Sequence, residues 1–245
     1  MMKQSGFTLV ELAIALMVIG LLIGGVLKGQ ELIENARITS VIRQVKAYDA
    51  AAMIFRNTYN ALPGDIRQPN RIPNCTSNLC LVPGNGNGKI TQNTTMSPNN
   101  AEILNFFPHM AKAGMIQGPS GGTIAEISDE DLFYPRTAVD LNIGMLLSEP
   151  FKNGSYIDDT GARWPNAYHI PPMNTPSTPP ILPVRQMVQI DMKIDDGKPH
   201  SGDVQVLAWG DCPSVGYISG SDENEYEADD TNNHGGCPIG IVAGF

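Results

Sequence analysis

Six carboxylates lie within nine residues near the C-terminal end of the sequence. Calcium takes roughly six to eight oxygen ligands in proteins, so a loop of this composition is able to surround a Ca²⁺ ion. The alternative is a solvated acidic surface loop, which needs no ion. The candidate calcium ligands are Asp222, Glu223, Glu225, Glu227, Asp229 and Asp230.

A second segment, Gly84-Asn85-Gly86-Asn87-Gly88-Lys89-Ile90, alternates glycine with amide side chains in the manner of a calcium loop. Asparagine stands where such loops usually carry aspartate, which lowers the charge of the ligands. A plain glycine turn is therefore the default interpretation of this segment. Further along the chain, Asp191, Asp195 and Asp196 are expected to cap a turn.

The four cysteines, Cys75, Cys80, Cys212 and Cys237, all follow the apolar N-terminal segment. Outside the cytoplasm they are expected to form two disulfides, for which three connectivities exist. A zinc site is the second interpretation, but the spacings contain no C-x₂-C pair, and only His234 lies near a cysteine in sequence.

The histidines give no catalytic signal. His109, His169, His200 and His234 are scattered along the sequence, and none of them falls in an H-E-x-x-H segment. The sequence also contains no P-loop and no dinucleotide-binding G-x-G-x-x-G. We therefore expect no enzyme, and we expect these histidines to be surface or structural residues.

Charge is unevenly distributed along the chain. Residues 181–245 carry 11 acidic and 3 basic residues, net −8, whereas residues 1–180 carry 14 and 13, net −1, and the two sum to −9. An acidic C-terminal region without a basic stripe argues against binding to the phosphates of a nucleic acid.

One carboxylate precedes a long apolar run at the start of the chain. Glu11 stands directly before sixteen uncharged residues, Leu12 to Leu27, and is the only charge from Phe7 to Leu27. As a helix, residues 7–27 would extend roughly 31 Å, enough to cross a hydrocarbon core of about 30 Å. An ionisable group in such a segment points to a function.

Two ordinary kinds of membrane segment fit this run less well. A cleaved signal peptide has a shorter apolar stretch followed by a small-residue cleavage site. The nearest candidate here is Gly24-Gly25-Val26, which does not resemble A-x-A. An ordinary single-span anchor does not require an ionisable residue such as Glu11 in its apolar segment.

The segment Gly6-Phe7-Thr8-Leu9-Val10-Glu11 and the run after it resemble the signature of type IV prepilins and type II secretion pseudopilins. The features in common are a short basic leader, a glycine, an aromatic residue and a glutamate five positions after the glycine. The resemblance covers about the first 60 residues well and the remainder weakly. It implies that a membrane aspartyl peptidase cuts between Gly6 and Phe7 and methylates the new terminus.

The resemblance also implies an assembly role for Glu11. After cleavage, the cationic amine of Phe7 and the carboxylate of Glu11 both lie at the edge of the bilayer, where unpaired buried charges are costly. We expect Glu11 to pair with the Phe7 amine of a neighbouring subunit, which would fix the register between helices. The alternative is that Glu11 lies at headgroup depth and stays solvated.

Glycines inside the apolar run are expected to affect the packing and the stability of this helix. Gly20, Gly24 and Gly25 permit close approach of helices in lipid and weaken the helix locally. Many family members place a proline where this chain has Lys28, so a proline kink is not expected there.

The helical pattern continues beyond the apolar run to a turn at Leu62-Pro63-Gly64-Asp65. Steps of three and four residues separate the next apolar positions, which marks one face of a helix. A single helix from about Phe7 to Tyr59 would be roughly 80 Å long. The apolar positions are Ile38, Val41, Ile42, Val45, Tyr48, Ala52, Phe55 and Tyr59.

These patterns and the resemblance predict an α+β, pilin-like fold. The expected divisions are a leader (1–6), a transmembrane assembly helix (7–27), its amphipathic continuation (28–60) and a globular head (61–245). The head is expected to be loop-rich, with a small antiparallel sheet of three to five short strands packed on the spine helix.

Within the head, the sequence predicts a short helix from Asn99 to Met115 that is interrupted at Pro108. Another element is expected to begin between Asp129 and Phe133. Residues 171–183 contain six prolines and should be extended.

After these prolines, Val184 to Ile194 fits either a helix or a strand, and Asp195-Asp196-Gly197 is a turn. Val204 to Trp209 is the most convincing strand in the chain.

The functional expectation is a structural subunit of a type IV pilus or a type II secretion pseudopilus, of a minor or specialised kind because the head is long. The precursor would cross the inner membrane once with its head in the periplasm, and would later enter a pseudopilus or a cell-surface pilus. The resemblance implies four partners: the prepilin peptidase, the platform protein, the assembly ATPase and other pilin subunits. No cofactor is required, although Ca²⁺ is possible.

For the disulfides, we expect the pairs Cys75–Cys80 and Cys212–Cys237. The second pair would close a loop near the C-terminus, much like the disulfide-bounded loop of pilins. The alternative function is a single-span, membrane-anchored periplasmic binding module or hydrolase, with an acidic head that is able to bind calcium.

Overall fold

Helix α1 runs from Leu9 to Tyr59 in the computed structural model, so the predicted spine helix is confirmed. Its 51 residues extend for about 76 Å. Thr8 caps its N-terminus, and Asn60 ends it in the left-handed conformation, with φ of 55°. The structure describes residues 8–77, 79–90, 101–119, 121–122, 133–137, 145–148, 166–170, 184–198, 201–206 and 239–245.

The second part of α1 buries one face against the head. The buried positions recur at steps of three and four residues, as the sequence pattern predicts. They lie in one continuous core with side chains from the head. The buried residues of α1 are Ile38, Val41, Val45, Tyr48, Ala51, Ala52 and Phe55.

Helix α2, Ala101–Lys112, continues through Pro108, so the predicted interruption is wrong. A proline inside a helix removes one backbone hydrogen bond and crowds the preceding turn, at a cost of about 3 kcal/mol. Each fully buried large apolar side chain contributes roughly 1.5–3 kcal/mol. Burial of the apolar face therefore outweighs the local cost of the proline. That face consists of Ile103, Leu104, Phe106, Phe107 and Met110.

Residues Val184–Ile194 form helix α3. The sequence pattern of this segment fits a helix or a strand, and the structure shows the helix. It packs against α1 and buries Met187 and Ile190. The Lys193 ammonium lies 3.3 Å from the hydroxyl oxygen of Thr39 on α1.

The described strands form one antiparallel sheet in the order β1-β2-β4-β3. They are β1, Leu146–Ser148; β2, Ala167–Ile170; β3, Val204–Val206; and β4, Ile239–Val242. Ile241 of β4 pairs with Tyr168 on one side and with Val204 on the other. The architecture is therefore α+β, as expected, and β3 begins where the strongest strand signal begins.

An aromatic cluster joins α1, α2 and the sheet. The Tyr48 ring lies 5.1 Å from the ring of Phe107 and 6.4 Å from that of Tyr168, measured between centroids. Asp49 adds two hydrogen bonds to these ring contacts. Its carboxylate accepts from the Tyr168 hydroxyl at 3.0 Å and from the Gly244 amide at 3.1 Å. These contacts fix the sheet and the C-terminal residues to the spine.

Several sequence expectations fall outside the described residues. They concern the element beginning at 129–132, the proline-rich segment 171–183 and the end of the predicted strand at 207–209.

Candidate functional site

The start of α1 is closed by a reciprocal cap between Thr8 and Glu11. The Glu11 amide donates to the Thr8 hydroxyl at 3.3 Å, and the Thr8 amide donates to the Glu11 carboxylate at 2.9 Å. The Thr8 hydroxyl also lies 2.9 Å from that carboxylate. Such a box satisfies backbone donors that have no partner inside the helix. Both bonds to the carboxylate use Oε2, so Oε1 takes no part in the cap.

The apolar part of α1 that follows this cap is not covered by any of the residues that the structure describes. From Leu9 to Ile33, every large apolar side chain is exposed. The helix is long and apolar enough to cross a membrane, and none of its most apolar stretch is buried. A surface of this kind needs an apolar environment from outside the chain, either lipid or other helices.

The glycines of this part are equally open. A Cβ atom added at Gly20, Gly24 or Gly25 would meet nothing within 4 Å. The helix is continuous through all three positions and through Lys28. The Lys28 ammonium forms an ion pair with Glu31 at 2.7 Å. The glycines therefore leave a smooth face that another helix can approach closely.

The structure describes only some of the predicted site residues. Gly6 and Phe7, at the expected cleavage point, lie outside the described residues, as do Cys212 and Cys237. The candidate calcium ligands do so as well; these are Asp222, Glu223, Glu225, Glu227, Asp229 and Asp230.

The first predicted disulfide, Cys75–Cys80, is present in the structure. His109 lies next to it, although it is distant in sequence, and its imidazole is fully buried. The Gly64 amide donates to Nδ1 of His109 at 3.0 Å, and Nε2 lies 3.1 Å from the carbonyl oxygen of Cys80. His109 therefore joins α2 to two loops.

These two contacts define the state of the imidazole. Because Nδ1 accepts a hydrogen bond, Nε2 carries the proton and donates to Cys80 in the neutral ring. Burial lowers the pKa of His109 from 6.5 to about 4, and the bond to the Cys80 carbonyl opposes this shift. His109 is thus a structural residue, as the sequence analysis expected of the histidines.

The segment 84–90 encloses a carboxylate. Asp65 is buried, and its carboxylate accepts hydrogen bonds from the amides of Gly86, Asn87 at 3.3 Å and Gly88 at 2.7 Å. Burial raises the pKa of Asp65, whereas the bonds from these amides lower it. Consecutive amides that converge in this way form an anion-holding nest.

The asparagine side chains of this segment make local turns. The side-chain oxygen of Asn85 accepts from the Asn87 amide at 2.9 Å, and that of Asn87 accepts from the Lys89 amide at 2.8 Å. The geometry is that of the glycine turn that the sequence favours.

Asp191, Asp195 and Asp196 cap the turn after α3, as expected. Asp191 accepts from the Gly197 amide at 3.1 Å, and Asp196 accepts from the Lys198 amide at 2.9 Å. Asp195 accepts from the Asp203 amide. The three carboxylates lie within 4.8 Å of one another, and these hydrogen bonds explain their proximity.

Sequence reasoning missed the roles of Asp49, Asp65 and His109. Each contacts residues far away in the chain; His109 and Gly64, for example, are 45 positions apart. The one local signal was Gly64, which stands in a turn with φ of +84°, where an added Cβ would overlap the Glu102 carbonyl. That close approach brings the turn against α2.

The comparisons with known proteins concern the N-terminal segment. Residues 1–27 match the family model described as the prokaryotic N-terminal methylation motif. No curated protein and no solved structure matches the chain at a significant level. The matched segment contains Gly6, Phe7 and Glu11 and extends into the exposed apolar part of α1. The chain therefore carries the signature of type IV prepilins and pseudopilins.

Proposed function

We propose that this protein is a structural subunit of a type IV pilus or type II secretion pseudopilus, cut between Gly6 and Phe7 and methylated at Phe7. The methylation motif at residues 1–27, continued by an apolar helix face that the described residues leave uncovered, carries this proposal. A prepilin peptidase would process the precursor. A platform protein and a cytoplasmic ATPase would then move it from the membrane into the fibre.

In this proposal Glu11 selects the position of each new subunit. Its Oε2 closes the helix cap with Thr8, and Oε1 is the oxygen that would meet the Phe7 amine of the neighbour. A paired charge in an apolar surrounding is far less costly than two unpaired ones. The open faces at Gly20, Gly24 and Gly25 would allow the neighbouring helix to come close.

The head distinguishes this subunit from a compact major pilin. It comprises 185 residues, 61–245, and its size favours a minor or specialised subunit. The head would lie in the periplasm before assembly and on the pseudopilus or pilus afterwards.

The first test is the mass of the intact protein, together with N-terminal sequencing, after expression with and without a prepilin peptidase. We expect the peptidase to remove residues 1–6 and to leave a methylated Phe7. Cleavage after the apolar run, or no cleavage in the presence of an active peptidase, would contradict the proposal.

The second test replaces Glu11 with valine. The variant should insert into the membrane and be cleaved as the wild type is, but it should fail to enter the sheared fibre fraction. Glu31→Gln is the matched control, because Glu31 is an exposed carboxylate of the same helix beyond the apolar run. Normal incorporation of the valine variant would rule out the role assigned to Glu11.

A further inference from the structure

An arginine-lined cavity of about 440 Å³ lies at the end of α1. Its walls are formed by the last turn of the helix, by residues of the segment 60–71 that follows it, and by Gly86, Gly88 and Phe245. Arg56, Arg67 and Arg71 all line it, and all three side chains belong to exposed residues. We call this space the arginine cavity. Three arginines therefore surround one opening in a chain whose net charge is −9.

Backbone carbonyls hold two of these arginines in place. Nε of Arg67 donates to the carbonyl of Asn85 at 2.9 Å, and Nη1 of Arg71 donates to the carbonyl of Tyr59 at 3.2 Å. The Arg71 guanidinium also lies 6.0 Å from the centre of the Tyr59 ring. A guanidinium has about five N–H donors, so each of these groups retains donors for a ligand.

Among the described residues, the carboxylate in the cavity wall forms no ion pair with these arginines. Asp65 lines the cavity, but its oxygens receive the amides of Gly86 and Gly88. Gly86 has φ of +70°, and a Cβ atom there would overlap the Arg67 side chain. The glycine loop thus holds Asp65 with backbone donors and at the same time gives Arg67 room beside it.

We propose that the arginine cavity binds carboxylates, and that its ligand is the acidic segment 221–230 of a second copy of the chain. Arginine matches the planar geometry of a carboxylate and binds it with two parallel hydrogen bonds. The segment offers six carboxylates in nine residues, and residues 181–245 carry net −8. When the two complementary surfaces differ, each copy can bind the next, and the contacts extend into a filament unless a ring closes.

The test measures binding of a fluorescent peptide with the sequence of residues 221–230 to the full-length protein in detergent micelles. Fluorescence anisotropy should show saturable binding at low salt that weakens at high salt, because salt screens exposed charges. The double variant Arg67→Gln/Arg71→Gln should weaken binding about tenfold or more, since it removes charge-assisted hydrogen bonds. Arg43→Gln is the matched control, because Arg43 is an exposed arginine of α1 that does not line the cavity.

Two further measurements separate recognition of carboxylates from general effects. A peptide with glutamine and asparagine in place of the six acids should not bind. Arg56→Gln and Arg71→Gln leave the Arg67–Asn85 bond in place, so they report on the cavity even if the double variant misfolds. The Arg71→Glu variant should no longer bind the acidic peptide, and it should bind a peptide that has lysine at the six acidic positions.

Equal affinity of the wild type and the properly folded cavity variants would overturn the proposal. Equal binding of the amide peptide would do so too, as would the absence of saturable binding of the acidic peptide at low salt. Leader cleavage and Glu11 play no part in this assay, so its failure would leave the proposed function untouched.

Discussion

The first and second parts of α1 belong to one regular helix but have opposite surroundings. From Leu9 to Ile33 all the large apolar side chains are exposed, whereas from Ile38 to Phe55 a stripe of them is buried by the head. Local structure is therefore the same in both parts, and within the described part of the chain only the second part is covered by other residues. The contrast indicates that the first part of α1 is suited to an apolar environment, which either the membrane or the helices of other subunits would supply.

This comparison predicts that the stability of the head depends on the covered part of α1 and not on the exposed part. Phe55 is fully buried, and its ring centre lies 4.5 Å from that of Tyr59 and 6.4 Å from that of His109. Phe55→Ala should lower the free energy of unfolding by about 3–5 kcal/mol, because it leaves a cavity in the core. Chemical denaturation followed by near-ultraviolet circular dichroism would measure this loss.

The matched change in the exposed part is Leu22→Ala. Leu22 is 61% exposed, so its truncation should leave the unfolding of the head unchanged in the same detergent. If both variants lost similar stability, the division of α1 into a covered and an exposed part would be wrong.

The second prediction concerns the loss of stability at low pH. We expect His109, which lies beside the covered part of α1, to cause part of this loss. The folded-state pKa of His109 is about 4 against an ordinary value of 6.5, so the unfolded state binds the proton first as the pH falls. The stabilisation is complete above pH 6.5, decreases as the pH falls towards about 4, and changes no further below that. The total loss should be about 3 kcal/mol.

His109→Gln provides the control for this effect. Subtracting its pH profile from that of the wild type removes the contributions of the other histidines. It also removes those of Asp49 and Asp65, whose raised pKa values act in the opposite direction. A flat difference between pH 7 and pH 4 would show that His109 is not held neutral by burial.

The third prediction concerns the Cys75–Cys80 disulfide, which closes a short loop of the head. Replacing both cysteines by alanine should lower the free energy of unfolding by about 2 kcal/mol, because a small closed loop restricts the unfolded chain only modestly. Thermal and chemical unfolding of this variant would measure the loss. Unchanged stability would show that hydrogen bonds such as that from His109 to Cys80 hold the loop without the disulfide.

The smallest effect is expected at the ion pair of Lys28 and Glu31. The two side chains are 67% and 45% exposed, so solvent and salt screen their attraction. Lys28→Ala should therefore leave the unfolding of the head unchanged within experimental error. A clear loss of stability would mean that the exposed part of α1 contacts the head after all.

Much of the fold could be predicted because it follows from local signals. The helical face from Ile38 to Phe55 follows from spacing, and the turn at Pro63 and Gly64 ends the helix where it should. The Cys75–Cys80 disulfide joins two residues only five positions apart. In contrast, the interruption predicted at Pro108 was wrong, because burial of α2 outweighs the lost backbone hydrogen bond.

The sequence by itself determined the methylation motif, the apolar run and the amphipathic spine, since each depends on neighbouring residues and on the helical period. Only the tertiary structure decided the helical state of α3, the buried position of His109 and the grouping of Arg56, Arg67 and Arg71 around one cavity. The physical reason is distance along the chain. Contacts such as Gly64–His109 or Asp49–Tyr168 join positions 45 and 119 residues apart, and no local pattern specifies them.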